Sequence, residues 1–481
     1  MTTIMGQKTQ LVFIPTPARG HLIASVDMAK MLINRDANLS ITILLIKRPN
    51  YPALDSFLNS LATLHIPHLN FVQLPSAEPT APLSFNIFMS KLVDNHKDPV
   101  RDFVNGFLKS QGETKLAGFV IDMFCTGMIA VADEFGLPTY VFSTSGTAML
   151  GLIFHLQNLR DEFNQDITRF KDSDQEADLS VSTYINKVPA KVLPSPAIDK
   201  DGSNHFLNHA KGIKGTRGIL VNSFLELESH AVKSLFEDDN VPPIYPVGPI
   251  LNVQEESGGD ENEKNREILK WLDDQPDSSV VFLCFGTIGC FEAEQVKEIA
   301  HALEGSGYRF LWSLRQPPPK GVTGIPEEYE NPQQVLPEGF LKRTAGVGKI
   351  IGWAPQLAVL SHSAVGGFVS HCGWNSTLES VWCGVPMAAW PQYAEQQMNA
   401  FQLVEDLELA VEIQMDYRMG SSSLVKAQEI ETKVKQLMDP NSEMRFKVKA
   451  MKEKSRMALM EGGSSYNFLD GFLQDIKKNI S

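Results

Sequence analysis

Apolar runs of four to eight residues alternate with amphipathic stretches along most of the chain. Leu11–Ile14 reads as a strand and is followed by a helix from about His21 to Asn34. Ile41–Ile46 and Leu69–Leu74 are further strands, Phe85 to Lys109 has helical spacing, and Leu116–Asp122 is a strand before a helix ending near Glu134. Thr139–Ser143, Gly218–Asn222 and Ile244–Gly248 complete this half, with the irregular residues 157–215 expected to form helices and loops over it. The alternation resumes at Ser279–Cys284 and continues through Arg309–Ser313, Lys349–Gly352, Gly367–Ser370, Pro386–Trp390 and Ala410–Ile413. Helices are expected at Ala427–Met438, Met444–Glu461 and Tyr466–Lys478, and a surface loop at Pro317–Asn331. Strands that are apolar throughout and separated by helices indicate parallel sheets buried on both faces.

Between the two halves, Gln254 to Lys264 is acidic, contains glycine and lacks periodicity, which marks it as a linker. The expected architecture is α/β: two doubly wound parallel-sheet domains facing each other across a cleft. Residues 1–250 form the first, 251–460 the second (251–264 as linker), and 461–481 a closing helix.

At 481 residues and 43% hydrophobic content the chain is an ordinary globular one, and two large α/β units fit that length. A net charge of −14 without a basic cluster argues against nucleic acid as a partner. Cys125, Cys284, Cys290, Cys372 and Cys383 are odd in number and include no CxxC pair, so reduced thiols in the cytoplasm are expected. Met1 to Gln10 is polar, the run after it is too short for a signal sequence, and nothing approaches a membrane span.

The richest chemistry lies between Trp353 and Gln396. Trp353-Ala-Pro-Gln356 is followed by the apolar Val365–Ser370, the turn His371-Cys-Gly-Trp-Asn-Ser376, a helical segment from Ser376 to Trp382, and Tyr393-Ala-Glu-Gln-Gln397. A strand, a small polar turn and a helix start together suit a phosphate, because the helix presents unpaired N–H groups and the positive end of its dipole. The turn contains no Lys or Arg. Ser376-x-x-Glu379 also fits a capping box, and Trp353 fits either a core residue or a stacking platform.

In open α/β sheets ligands bind beyond the carboxyl ends of strands. His21, after Pro15-Thr-Pro-Ala-Arg-Gly20, and Asp122, at the end of its strand, both fall there. A carboxylate beside a histidine fixes its tautomer and stabilises the imidazolium formed when it takes a proton. Phe285-Gly-Thr-Ile-Gly289 also follows a strand, but it is not GxGxxG, which disfavours a nicotinamide cofactor. Asp172-Ser-Asp174 and Asp199-Lys-Asp201 could suggest a metal-held nucleotide sugar. Their irregular polar surroundings favour plain surface charge, and no zinc spacing occurs.

The stretch from Trp353 to Gln396 resembles, end to end, the signature box of plant UDP-dependent glycosyltransferases. The resemblance extends over the whole chain through Pro17-x-x-Gly20-His21, Phe285-Gly-Thr287 and Gly462-Gly-Ser-Ser465. Phe119–Cys125 and Arg309–Ser313 look closest to the group acting on phenols, flavonoids and terpenoid aglycones. The resemblance implies the GT-B fold, with acceptor in the N-terminal domain and UDP-glucose mainly in the C-terminal one. It further implies that Trp353 stacks on uracil beside the Ala354 backbone, and that Gln356 and Glu379 hold the ribose. His371, Asn375, Ser376 and Thr287 would hold the phosphates, Gly373 would belong to the same donor site, and Trp374, Glu395, Gln396 and Thr144 would contact the sugar. His21 would be the base and Asp122 its partner, in an inverting transfer without metal or cofactor. Thr287 stands where the family usually has Ser, which keeps the hydroxyl. Gln396 is the residue that favours glucose over galactose in such enzymes.

Phe85, Phe88, Phe124, Phe142, Met149 and Leu193, from segments expected to flank His21, are candidates for an apolar acceptor wall, and Tyr393 is a candidate beside the sugar. The leading expectation is a monomeric O-glucosyltransferase acting on a small hydrophobic acceptor. A non-catalytic nucleotide-sugar-binding protein is the alternative, against which stands the presence of both His21 and Asp122.

Overall fold

The computed structural model describes residues 8–49, 52–63, 65–77, 85–110, 112, 114–171, 178–251, 260–319 and 324–480. The first half is built on seven parallel strands: β1 (Thr9–Ile14), β2 (Leu39–Leu45), β3 (Leu69–Gln73), β4 (Lys115–Asp122), β5 (Thr139–Ser143), β6 (Gly218–Val221) and β7 (Ile244–Pro246). Their spatial order is β3-β2-β1-β4-β5-β6-β7. The second half has six: β8 (Val280–Cys284), β9 (Arg309–Ser313), β10 (Gly348–Ile351), β11 (Val365–Ser370), β12 (Met387–Ala389) and β13 (Ala410–Glu412), ordered β10-β9-β8-β11-β12-β13. Leu11, Val12, Ile14, Val280–Leu283, Phe368 and Val369 are wholly buried, as strands covered on both faces require.

The order of strands is what positions the site. In the first sheet the winding reverses between β1 and β4, and in the second between β8 and β11. At each reversal the connections leave in opposite directions and open a crevice at the carboxyl ends of the two strands. His21 follows β1 and Asp122 ends β4, while Thr287 follows β8 and His371 follows β11. Both crevices line the same cavity.

Contacts between the halves are direct and polar. The Trp374 indole N–H donates to the Asn222 carbonyl at 2.7 Å. Buried Glu228 accepts from the N–H groups of Thr147 and Ala148, which caps the helix Thr147–Asp161, and also from the Gln402 side chain at 2.9 Å. Gly146 permits this approach, since a Cβ there would come within 2.8 Å of both Glu228 and the Trp374 ring. The Arg418 guanidinium donates to the Lys191 and Leu193 carbonyls and the Ser195 hydroxyl. The helix Ser464–Ile480 returns to the first sheet, where Phe472 packs edge-on to Tyr140 and the Tyr140 hydroxyl donates to Asp475 at 2.8 Å.

Two expectations need correction. The linker Gln254–Lys264 ends earlier than expected: its described part, from Asp260, is the first turn of the helix Asp260–Asp273, whose inward residues Ile268 and Leu272 are buried. The Pro317–Asn331 loop is gathered by a short antiparallel ribbon in which Arg315–Gln316 pairs with Glu327–Glu328. Among the described residues no helix is long and apolar enough to cross a membrane.

Candidate active site

A cavity of about 550 Å³ lies where the two crevices meet. His21 stands on its wall in the first turn of the helix Arg19–Arg35, whose start has no side-chain cap. Its Nδ1 faces Asp122 Oδ2 at 2.7 Å and the Thr144 hydroxyl at 2.9 Å. Asp122 is sealed behind the ring, with 0% side-chain exposure against 26% for His21. Its second oxygen accepts from the Thr16 hydroxyl at 2.7 Å and the Phe124 N–H at 3.0 Å. A buried carboxylate with all these donors is satisfied without a cation.

Burial alone would lower the His21 pKa. The charge of Asp122 and its hydrogen bond, with Glu395 adding to them, outweigh burial and raise it above the ordinary value. Burial raises the Asp122 carboxyl, but His21 and the donors around it hold it below the usual range. With Nδ1 turned to Asp122, Nε2 is left on the cavity side as the nitrogen that can take a proton.

The opposite wall is the turn after β11. The helix Trp374–Cys383 has Gly373 at its N-cap and no side-chain cap, so its first-turn N–H groups remain unspent at the cavity. This overturns the capping-box alternative. Ser376 and Glu379 lie inside the helix, and Gln356 binds both, at 2.8 and 2.7 Å. The turn itself is pinned in a costly conformation. Cys372 takes a left-handed φ of 59°, and its carbonyl accepts from Asn399 at 2.9 Å. His371 is buried, which pushes its pKa down to about 4, and its Nδ1 has no hydrogen-bond partner among the described residues. A neutral ring with an unpaired buried nitrogen beside the cavity is suited to a polar ligand.

Two glycines make room for that ring. Gly286 has a φ of 72°, and a Cβ there would collide with the His371 imidazole. A Cβ at Gly373 would reach Nε2 at 2.6 Å. The two helix starts are also close, a Cβ at Gly20 lying 3.5 Å from the Asn375 amide nitrogen. Two positive dipole ends thus converge on one space, which favours an anion there.

Trp353 lines the cavity with guanidinium groups near its ring, Arg19 at 5.6 Å and Arg315 at 5.3 Å from the ring centre. Arg48 lines it too. The turn has no cation of its own, so these three arginines, brought in from elsewhere, are what motif reading missed. Arg19 carried a signal, since it lies two residues before His21 at a helix start.

The cavity brings together His21, Thr144, Thr287, Trp353, Ala354, Gln356, His371, Gly373, Trp374, Asn375, Ser376, Tyr393, Glu379, Glu395 and Gln396. The Gln396 carbonyl oxygen is occupied by the N–H groups of Gln392 and Tyr393 at 2.9 and 3.0 Å, which leaves its amide N–H₂ for a ligand. Glu395 is raised above the ordinary carboxyl value, chiefly by burial.

The acceptor wall differs from expectation. Phe124 and Met149 line the cavity. Phe142 does not: strand alternation turns it to the opposite face of the first sheet, with Phe13 and Tyr140, at 1% exposure. Leu193 is wholly buried core, and its neighbours Pro194 and Pro196 form the wall instead. Phe88 packs against the core while Met89, Ser90 and Val93, one helical face over, reach the cavity. The side chain of Phe85 lies outside the described residues. So does Asp172–Asp174, while Asp199 is partly exposed and pairs with Lys171 at 2.5 Å.

The sequence model of the UDP-glucoronosyl and UDP-glucosyl transferase family matches residues 222–451. A UDP-glucose flavonoid 3-O-glucosyltransferase 6 of Fragaria ananassa is 55% identical over 98% of this chain and 100% of its own length. UDP-glycosyltransferase 71E1 of Stevia rebaudiana is 53% identical over 97% and 98%. Among solved structures, a UGT transferase from Siraitia grosvenorii in complex with UDP superposes with a TM-score of 0.89 at 43% identity, covering 98% of this chain and 100% of that one. Medicago truncatula UGT71G1 complexed with UDP-glucose gives 0.87 at 40% identity, covering 98% and 99%. A chain that shares about half its residues with such relatives over nearly its whole length, and its fold with these solved structures, belongs with them, among the plant UDP-glycosyltransferases.

Proposed function

We propose that this enzyme transfers glucose from UDP-glucose, with inversion, to a hydroxyl of a small hydrophobic acceptor, a phenol, flavonoid or terpenoid, to give an O-β-glucoside. The observation that carries this is His21, backed by Asp122 at 2.7 Å, on the wall of the cavity that Trp353, Gln356, His371 and the Trp374–Ser376 helix start also line. The names of the Fragaria relative and of the Medicago complex support the donor, and the former supports a flavonoid acceptor.

The acceptor hydroxyl gives its proton to His21 Nε2 as its oxygen forms a bond to the anomeric carbon. The bond from that carbon to the diphosphate oxygen breaks, and the electron pair leaves on UDP. Asp122 stabilises the imidazolium through Nδ1–H and need not take the proton itself. A phenol, with a pKa of about 10, needs modest help from such a base, whereas an aliphatic alcohol depends on the pair more strongly.

Charge that builds up on the departing diphosphate meets the first-turn N–H groups of Trp374–Cys383, the Thr287 hydroxyl and the helix dipole, all fixed beforehand. Trp353 and Ala354 take the uracil, Gln356 and Glu379 the ribose, and Trp374, Glu395 and Gln396 the glucose. Acceptor residues come mostly from the first half, donor residues from the second. We read the enzyme as a cytoplasmic monomer needing no metal or cofactor.

Incubation with several UDP-sugars against a panel of phenols and terpenoid alcohols, read by mass, tests this directly. A glucoside formed from UDP-glucose is expected. Its absence with every acceptor, while UDP still binds, overturns the proposal.

A further inference from the structure

The reaction uses one end of the acceptor chamber. At the other end stands a polar group with no part in proton transfer. His205 and His209, one turn apart on the helix Ser203–Lys214, and Ser90 on the helix Phe85–Asn95 all line the cavity. The Thr126 hydroxyl meets His209 Nδ1 at 2.7 Å, and the Ser90 hydroxyl meets Nε2 at 3.3 Å. The first is short and fixes the ring. The second lies beyond the usual range, so a ligand oxygen can compete for it. His205 makes no side-chain hydrogen bond within the described residues, although it faces the same space. Gly212 lets this helix sit close, since a Cβ there would come 2.9 Å from Cβ of Thr126.

Phe124 links the two ends. Its ring centre is 5.7 Å from that of His21 and 5.7 Å from that of His209, with Phe206 at 6.2 Å completing an aromatic wall. The pairs are tilted or edge-on, so the face of Phe124 is not covered by them, and a flat ring system laid along Phe124 runs from His21 towards Ser90 and His209. Burial pushes the His209 pKa down to about 4, against the pull of Asp122 and Asp94. The ring is therefore neutral at physiological pH and offers one donor and one acceptor.

We propose that Ser90, His205 and His209 form a second recognition point that hydrogen-bonds a hydroxyl or carbonyl at the far end of an aromatic acceptor from the hydroxyl that receives glucose. This rests on the acceptor chamber described under the proposed function and narrows it to two-ended, polyoxygenated aromatics. Simple terpenoid alcohols and single-hydroxyl phenols leave the polar end unmatched. A site that hydrogen-bonds a hydroxyl favours acceptors that carry one, because analogues that lack it forgo the bonds to His205 and to the loosely held His209 Nε2.

The test compares a monohydroxyflavone with the matched dihydroxyflavone carrying its second hydroxyl on the remote ring. Both kcat/KM with UDP-glucose and the Kd with UDP bound are measured on the native enzyme, Ser90→Ala and His209→Phe. The native enzyme is expected to favour the dihydroxy compound roughly tenfold in both measurements. That ratio falls towards one in His209→Phe, and falls in Ser90→Ala, a small change that keeps the fold if the histidine variant does not. Equal use and equal binding of the two flavones by the native enzyme, or an unchanged ratio in both variants, overturns the proposal. Turnover of both flavones without discrimination leaves the glucosyltransferase function standing and removes only the second recognition point. A tenfold difference in Kd without turnover does the reverse.

Discussion

The Thr144 hydroxyl lies 2.9 Å from Nδ1 of His21, the same nitrogen that Asp122 meets at 2.7 Å. The family resemblance had assigned Thr144 to the sugar. In the structure its hydroxyl meets the imidazole, so the ring is held on one edge by Asp122 at the end of β4 and by Thr144 just after β5, and its other edge is turned into the cavity. A residue at this point touches both His21 and the cavity.

Removing the base separates chemistry from binding. His21→Ala is expected to abolish glucosylation of alcohols, with a loss on the order of 10²–10⁴ for phenols. UDP affinity, measured by calorimetry, stays nearly intact because the Trp353–Gln396 site is untouched. Full activity in this variant would remove His21 from the reaction.

The pH profile has a definite sign. With His21 as the proposed base the neutral imidazole does the work, so activity is expected to rise as pH increases through the His21 pKa, which lies above its ordinary value of 6.5. Asp122→Asn removes the charge that raises it, while burial of the ring still lowers it. The acidic limb of kcat/KM should therefore move to lower pH as the rate itself falls. A limb that stays in place would show that Asp122 does not control the base.

Gly286→Ala tests the space around His371. Its φ of 72° disfavours any side chain, and the added Cβ meets the imidazole. The expected cost is about 1–3 kcal/mol in stability, seen as a lower Tm. UDP affinity should weaken as well, because the ring must move away from the phosphate space. An unaltered Kd for UDP would mean that His371 plays no part there.

Gln396→His replaces an amide whose oxygen accepts two backbone N–H groups of the Gln392–Tyr393 turn. An imidazole cannot accept both, so the turn shifts with the sugar contact. Use of UDP-glucose relative to UDP-galactose should fall roughly tenfold, read from kcat/KM for the two donors. An unchanged ratio would take Gln396 out of the sugar site.

Chelation tests the leaving-group assignment. If the helix N–H groups, the Thr287 hydroxyl and the helix dipole carry the diphosphate charge, turnover should be unaffected by excess EDTA. Loss of activity on chelation, restored by added magnesium, would show that they do not suffice.

By itself the sequence determined most elements that depend on short-range pattern. Thr139–Ser143, Arg309–Ser313 and Ala427–Met438 could be read to the residue, because apolar runs and helical spacing are local signals. His21, Asp122 and the Trp353–Gln396 turn were legible for a related reason: in doubly wound sheets the chemistry sits where strands end, and strand ends can be read.

The tertiary structure alone decided which strands neighbour each other, and so that β1 meets β4 and β8 meets β11. It also decided which face a strand residue shows. Phe142 went to the rear of its sheet and Leu193 to the core, while Ser90, the His205–His209 helix and three arginines reached the cavity from distant parts of the chain. Alternation tells neighbours apart but does not say which face is the front. That depends on how the helices pack on the sheet and how the two halves close, and those contacts span hundreds of residues.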